Sequence, residues 1–211
     1  MKKIETALIS VYDKDGISDF ARELLELGVT TIFASGGTAR HLTADRIPVT
    51  DVATLVGGGP ILGHRVVTLS REVHAGLLAR YDSPEDVEEL ASLKIPFIDL
   101  VCIDLYPLGK EIGRAGSTMD SVLEMTDIGG PTMIRSAAKG NRVVICCATD
   151  RSTVIAWLKS GGQKDPGLPG RLCAKAEAVV AQYCALSAAY RGSDLYTFST
   201  DPKGFSLETV W

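Results

Sequence analysis

Serine, threonine and lysine gather where two β-rich runs give way to helical patterns. Phe33-Ala34-Ser35-Gly36-Gly37-Thr38-Ala39-Arg40 closes an apolar run, Val29 to Phe33, and opens a polar helical one. Glycines let a backbone approach a ligand with no Cβ in the way. The amides of a first helical turn have no internal partner and point outward. With the Ser35 and Thr38 hydroxyls beside them, the amides around Gly36 and Gly37 suit an anion, most often phosphate. Lys14 adds a cation. It follows the strand-like run Ala7 to Val11 in Ser10-Val11-Tyr12-Asp13-Lys14. In a parallel sheet both turns fall at the carboxyl edge, where ligands bind in open α/β sheets. Two ordinary strand-to-helix turns are the alternative.

A second dense motif is Asp127-Ile128-Gly129-Gly130-Pro131, followed by Thr132 to Lys139 at helical spacing. Asp127 as a helix cap, with Pro131 in the first turn, accounts for those two residues. It does not account for the paired glycines, which again suggest a close backbone approach. Arg135 and Lys139 are four apart and share a face. On a helix otherwise small and apolar, Lys139 is a candidate to reach a pocket. Arg65 and Thr68 follow a glycine-rich loop, and Asp104-Leu105-Tyr106-Pro107 closes a central strand. Each is explicable alone as packing or turn chemistry; their convergence on one sheet edge suggests a site. His41 and His74 lack metal or triad spacing. There is no Gly-x-Ser-x-Gly elbow, Walker motif or dinucleotide fingerprint.

The elements that must position these residues alternate strand and helix, which predicts a mostly parallel sheet with helices on its faces. Strands are expected at Ala7–Val11, Val29–Ala34, Pro48–Val52, Phe97–Leu105 and Arg142–Ala148. Helices are expected from Ile17 to Gly28, after Thr38, and over Arg71–Arg80, Glu85–Leu93, Thr118–Met125, Thr132–Lys139 and up to Trp157, with Ala53–Gly63 a loop. Gly161 to Gly170 is glycine- and proline-rich and marks the end of the α/β unit. Beyond it Leu172, Ala176, Val179, Tyr183, Leu186 and Tyr190 form one apolar helical face, predicted to pack on its own domain or on a second subunit. The division is thus 1–160 for the α/β domain and 161–211 for a helical C-terminal extension.

The 211 residues suffice for a sizeable core, with 45% hydrophobic and 23% charged residues. A net charge of -4 argues against broad nucleic-acid binding, which needs a basic face. It leaves room for a phosphorylated small molecule held by a few local cations. No apolar run reaches the length of a membrane span, and the N-terminus lacks a signal-peptide core. Five cysteines without zinc spacing read as reduced core residues of a cytoplasmic protein.

Seven colinear blocks point further. They run through 7–14, Ala-Ser-Gly-Gly-Thr-Ala (34–39), 63–69, Val-His-Ala-Gly-Leu-Leu-Ala-Arg (73–80), Leu-Tyr-Pro (105–107), Asp-Ile-Gly-Gly-Pro-Thr-Met (127–133) and Arg-Ser-Ala-Ala-Lys (135–139). In these blocks the chain resembles the N-terminal, IMP cyclohydrolase half of the bifunctional AICAR transformylase/IMP cyclohydrolases, over at least residues 5 to 160. The resemblance implies a methylglyoxal-synthase-like fold: a three-layer α/β/α sandwich around a mainly parallel sheet, usually in a homodimer. It implies closure of 5-formamidoimidazole-4-carboxamide ribotide (FAICAR) to IMP with loss of water, without metal or cofactor. A transformylase half is absent from the resemblance, so a separate transformylase is an expected partner.

By the same resemblance, Ser10, Lys14, Ser35, Gly36, Gly37 and Thr38 hold the phosphate. Arg65, Thr68, Asp104, Tyr106, Asp127, Ile128 and Gly129 surround the base and formyl group. Asp127 orients or deprotonates the carboxamide, Tyr106 positions the reacting groups, and Lys139 stabilises the oxyanion or protonates the departing oxygen. The chain departs from the family's Arg-Val-Lys-Thr-Leu-His-Pro, reading Arg65-Val66-Val67-Thr68-Leu69-Ser70-Arg71. A lysine of the family is therefore Val67; either His64 or Arg71 substitutes for it, or the activity is slow, or the chain works on a related ligand. Asp104 and Tyr12 replace the family's usual Asn and Ser. Two other readings are a non-catalytic nucleotide-binding module that kept the phosphate cradle, and a lyase of the methylglyoxal-synthase type acting on a triose phosphate.

Overall fold

The structure is a computed structural model and describes residues 3–192, 196–198 and 207–209. Its centre is a five-stranded, all-parallel sheet in the order β3-β2-β1-β4-β5. In chain order the elements begin with β1 (Thr6–Ser10), α1 (Ile17–Glu26), β2 (Thr31–Ala34), α2 (Gly36–Ala44), β3 (Thr50–Asp51) and α3 (Val52–Leu55). A single 3-10 turn at Leu62–His64 precedes α4 (Arg71–Leu78), α5 (Pro84–Leu93) and β4 (Leu100–Ile103). Then come α6 (Leu108–Ile112), α7 (Met119–Glu124), α8 (Gly129–Lys139), β5 (Val143–Ile145), α9 (Asp150–Lys159) and α10 (Leu168–Tyr190).

Side chains of a strand alternate between faces, and here both faces are apolar. Ala7, Ile9, Ile32, Ala34, Leu100, Cys102 and Ile145 pack beneath Ile17, Phe20 and Leu24 of α1 and Val154, Ile155 and Trp157 of α9. Leu8, Phe33, Val101, Ile103 and Val144 face Val73 and Leu77 of α4 and Met133, Ile134 and Ala137 of α8. This is the pattern of a parallel sheet covered on both sides. Each fully buried Ile or Leu contributes about 1.5–3 kcal/mol. The expected three-layer α/β/α sandwich is the observed architecture.

The strand order reverses at β1. The chain builds β2 and β3 on one side, then crosses to β4 and β5 on the other. The crevice at the carboxyl ends of β1 and β4 is therefore the topological switch point, the usual ligand position in such sheets.

Several boundaries differ from the sequence expectation. The turn glycines Gly36 and Gly37 belong to the first turn of α2, with Ser35 as N-cap, so the helix starts before Thr38. Likewise α8 begins at Gly129 rather than Thr132. The expected loop after Ala53 is preceded by the short α3, capped by the Asp51 carboxylate. α10 starts at Leu168, before the expected glycine-proline boundary at Gly170, because Pro169 is tolerated in a first helical turn.

α10 packs on its own domain, chiefly against α8 and β5. Leu168 and Leu172 join the first apolar layer, and Ala176, Val179 and Val180 the second. The helix thus covers the outer strand β5, an edge that would otherwise expose backbone groups. Its apolar face is buried within the chain at Leu168, Leu172 and Ala176, while Leu186 further along is 38% exposed. The extension is not wholly helical: β6 (Tyr196–Phe198) and β7 (Leu207–Thr209) pair antiparallel.

Candidate functional site

A cleft of about 400 Å³ opens at the switch point. Of the expected residues, Ser10, Lys14, Ser35, Gly37, Thr38, Arg65, Thr68, Asp104, Tyr106, Asp127, Ile128 and Gly129 line it. Gly36 adjoins it in the first turn of α2. The cleft has two chemically different ends.

At one end, β1 and β2 finish side by side, and Ser10 Oγ lies 2.8 Å from Ser35 Oγ. Ser35 therefore points its hydroxyl across the sheet and caps no amide of α2 with it. The leading amides of α2 are left without a side-chain partner, as an anion site requires. A Cβ on Gly36 or Gly37 would meet nothing nearer than the Arg40 guanidinium, at 3.6 and 3.9 Å. These two glycines leave open space. Lys14 Nζ donates to the carbonyls of Val11 and, at 2.9 Å, Tyr12. Burial holds its ammonium below the usual lysine range, against the pull of Asp104 and Asp13.

Thr38 departs from its expected role. It is buried, and its hydroxyl accepts from Val11 N–H and donates to Val11 C=O, both at 3.2 Å. That hydroxyl stitches α2 to the end of β1 and is not free for phosphate. Arg40, in contrast, was not among the expected residues. Its guanidinium overlies Gly36 and Gly37 and makes no hydrogen bond or ion pair among the described residues. The signal available was its position four residues after Gly36, one turn along α2.

At the other end, the Asp127 carboxylate accepts from Gly130 N–H at 2.9 Å, bracing the start of α8, and the nearby backbone amides of Tyr106 and Gly129 favour its charged form. Burial raises its pKa in spite of those amides. Burial and the nearby Asp127 charge likewise raise Tyr106, which meets Tyr12 edge-to-face with ring centroids 5.7 Å apart. A carboxyl and a phenol both raised by burial in one cleft are candidates for proton transfer.

The glycine pair in this motif has a different cause from the first. A Cβ on Gly129 would stand 2.6 Å from Thr68 Oγ1, and one on Gly130 would collide with the Asp127 carboxylate and Leu105. The close approach inferred from the sequence is to the protein's own side chains. Asp104 is also partly committed: its carboxylate accepts from Tyr12 N–H and, at 3.1 Å, Asp13 N–H. It bridges β4 to the β1–α1 turn across the switch point, and burial raises its pKa. Arg65 forks onto the Glu124 carboxylate at 2.6 and 3.2 Å; Glu124, Leu123 and Thr126 of the α7 region line the cleft and have no sequence motif of their own.

Lys139 does not reach this cleft within the chain. It is exposed in the last turn of α8. Gly129, at the cleft, opens that same helix, and ten residues at 1.5 Å each separate them by about 15 Å. The resemblance-based role for Lys139 as the oxyanion cation does not fit one subunit. Arg71 is no substitute for the missing lysine either. It is exposed at the start of α4, paired with Glu72 at 3.3 Å, and does not line the cleft. The side chain of His64 lies outside the described residues. Val67 itself lines the cleft beside Thr68, so this wall is apolar where the resemblance places an ammonium.

The model of the MGS-like domain family matches residues 16–132, more than half of the chain. The chain belongs to the MGS-like domain family. A solved structure titled "Crystal structure of ForH" is similar at 33% identity, over 90% of this chain and 97% of that one, with a TM-score of 0.79. The matched span carries the Ser35–Thr38 turn and the Asp127 to Thr132 part of the second motif, but not Ser10, Lys14 or α10. Among the described residues, no helix is long and apolar enough to cross a membrane, and no cluster of three or more His, Cys, Asp or Glu is arranged to hold a metal ion.

Proposed function

We propose that this MGS-like protein binds a ribonucleotide monophosphate across the cleft and closes FAICAR to IMP. The observation that carries the reading is the division of the cleft. A cationic, hydroxyl-lined end with open glycines suits a phosphate, and an Asp127–Tyr106 end suits proton transfer. The phosphate rests on Lys14, the leading amides of α2 and Arg40. The imidazole then extends towards Tyr106 and Asp127.

The reaction forms one C–N bond and releases water. The carboxamide nitrogen attacks the formyl carbon, and the formyl oxygen leaves as water. Its two hydrogens come from the carboxamide nitrogen and the formamide nitrogen. Asp127, as carboxylate, accepts the first. Tyr106, kept protonated by burial and by Asp127, donates to the formyl oxygen as negative charge develops there. Holding the two groups in the closing conformation supplies a large share of the rate.

Incubating the protein with FAICAR and following IMP formation tests the reading. Val67 favours one second reading, a nucleotide-binding module without turnover, because a valine supplies no charge to the oxyanion. Val67→Lys decides between them. In the enzyme reading it preserves the fold and raises turnover. If the parent and Val67→Lys both bind IMP and neither turns FAICAR over, the module is the better account.

A further inference from the structure

We infer that Tyr183 of α10 is a positioning residue for Asp127, so that the C-terminal helix is part of the working site. The inference rests on the proposed assignment of Asp127 to the base-proximal end of the cleft. Tyr183 Oη accepts from Asp127 N–H at 2.7 Å and donates to Met125 C=O at 3.2 Å. One phenol thus bridges two backbone groups of the segment between α7 and α8. Neither group has a helix to satisfy it: Met125 closes α7, and Asp127 precedes the N-cap Ile128.

Ile128 is 57% exposed and its side chain caps no amide, so it does not itself anchor the segment. The Asp127 carboxylate is held from one side by the Gly130 amide, and its own amide from the other by Tyr183. A second cavity, between α8 and α10, is lined by Tyr183 and shares Thr126, Asp127 and Ile128 with the cleft. The segment is therefore a thin wall with space on both sides. Without the phenol it has room to move, and with it the wall is pinned. The Tyr183 hydroxyl is itself held protonated, its pKa pushed up to about 12, largely by burial, so the bridge persists across the working pH range.

Tyr183→Phe removes the hydroxyl and keeps the ring, with Tyr190→Phe on the same helix as control. Carboxyl NMR of the ligand-free protein gives the Asp127 titration. Tyr183→Phe is expected to admit water to the loop and move that titration down towards the ordinary carboxylate range, because burial is what raises it. Amide exchange at Asp127 should accelerate. Affinity for IMP should fall about tenfold, the loss of roughly one hydrogen bond, while affinity for ribose 5-phosphate, which lacks the base, stays unchanged. Tyr190→Phe should change none of these. An unmoved Asp127 titration and unchanged exchange in Tyr183→Phe overturn the inference whatever the ligand. An equal loss for IMP and ribose 5-phosphate also overturns it, since that is a general structural defect. A shifted titration in a protein that binds no IMP supports the positioning role and overturns the ribotide reading instead.

Discussion

Thr68 Oγ1 and Gly129 are packed so closely that a Cβ on Gly129 would lie 2.6 Å from the hydroxyl oxygen. Thr68 is buried and cannot step aside. Gly129→Ala is therefore expected to destabilise the protein by about 1–3 kcal/mol through overpacking, and to shift the cleft wall. Urea unfolding measures the first and IMP titration the second. An alanine variant as stable as the parent would show that this contact is not tight.

Gly36→Ala is expected to behave in the opposite way. Its φ is not positive and its Cβ would meet only Arg40 Nη1, at 3.6 Å. The substitution should leave stability unchanged or raise it by about 0.4–1 kcal/mol. Because the methyl enters the open space beside the leading amides, IMP affinity should fall. Unchanged affinity would remove Gly36 from the phosphate site.

Lys14→Ala should weaken IMP by about 1.5–3 kcal/mol, the usual worth of a charge-assisted contact, and leave inosine unaffected. Calorimetry on both ligands checks this; equal affinity for nucleotide and nucleoside would overturn the phosphate anchor. The pH dependence has a definite sign. Affinity should rise as pH passes about 6, where a phosphate monoester becomes a dianion. It should fall as Lys14 loses its proton, at a pH below the ordinary lysine value of 10.5, because burial depresses that pKa. Lys14→Ala should lose this alkaline limb.

Arg40→Met should reduce IMP affinity without loss of stability, since its guanidinium makes no hydrogen bond or ion pair among the described residues. Lys139→Met, at the far end of α8, should change the IMP affinity of the isolated subunit by no more than about 0.5 kcal/mol, as for other exposed positions. A large effect of Lys139→Met would mean that a second copy of the chain brings this lysine to the cleft, and sedimentation of the variant and parent would follow.

Arg142 supplies a structural control remote from the cleft. It is buried, with its guanidinium 4.3 Å from the Tyr81 ring centroid. It donates to the carbonyls of Leu77 at 2.7 Å, Gly76 at 3.4 Å and Ala79. These are carbonyls at the end of α4, which a helix cannot satisfy itself. Arg142→Met should cost about 3 kcal/mol in urea unfolding by stranding them, with IMP affinity retained in the folded fraction.

The sheet and its helices were legible in the sequence because their signals are local. The alternation of strand runs with helical ones and the helix spacing of Ile17, Phe20 and Leu24 depend on neighbours a few positions away. The first glycine pair was legible as part of a strand-turn-helix junction for the same reason, and a Cβ there would meet only Arg40 among the described residues. The close approach expected of the second pair is present, but its partners were only partly legible: Gly130 is crowded by Asp127, three residues away, and by Leu105, and Gly129 by Thr68, some sixty residues earlier, which no local pattern reveals.

Composition and motif order by themselves determined a parallel α/β domain with the Lys14 and Ser35 turns at one sheet edge. Strand direction and the strand-turn-helix order leave those turns nowhere else to go. Only the tertiary structure decided which side chains are free to act there. It spends the Thr38 hydroxyl on Val11 and the Asp104 carboxylate on Tyr12 and Asp13, and frees Arg40. It also carries Lys139 to the far end of α8 and brings Tyr183 to Asp127 across fifty-six residues of chain. A hydrogen-bonding group serves whichever partner packing brings within about 3 Å, and that partner is chosen by the packing of whole elements.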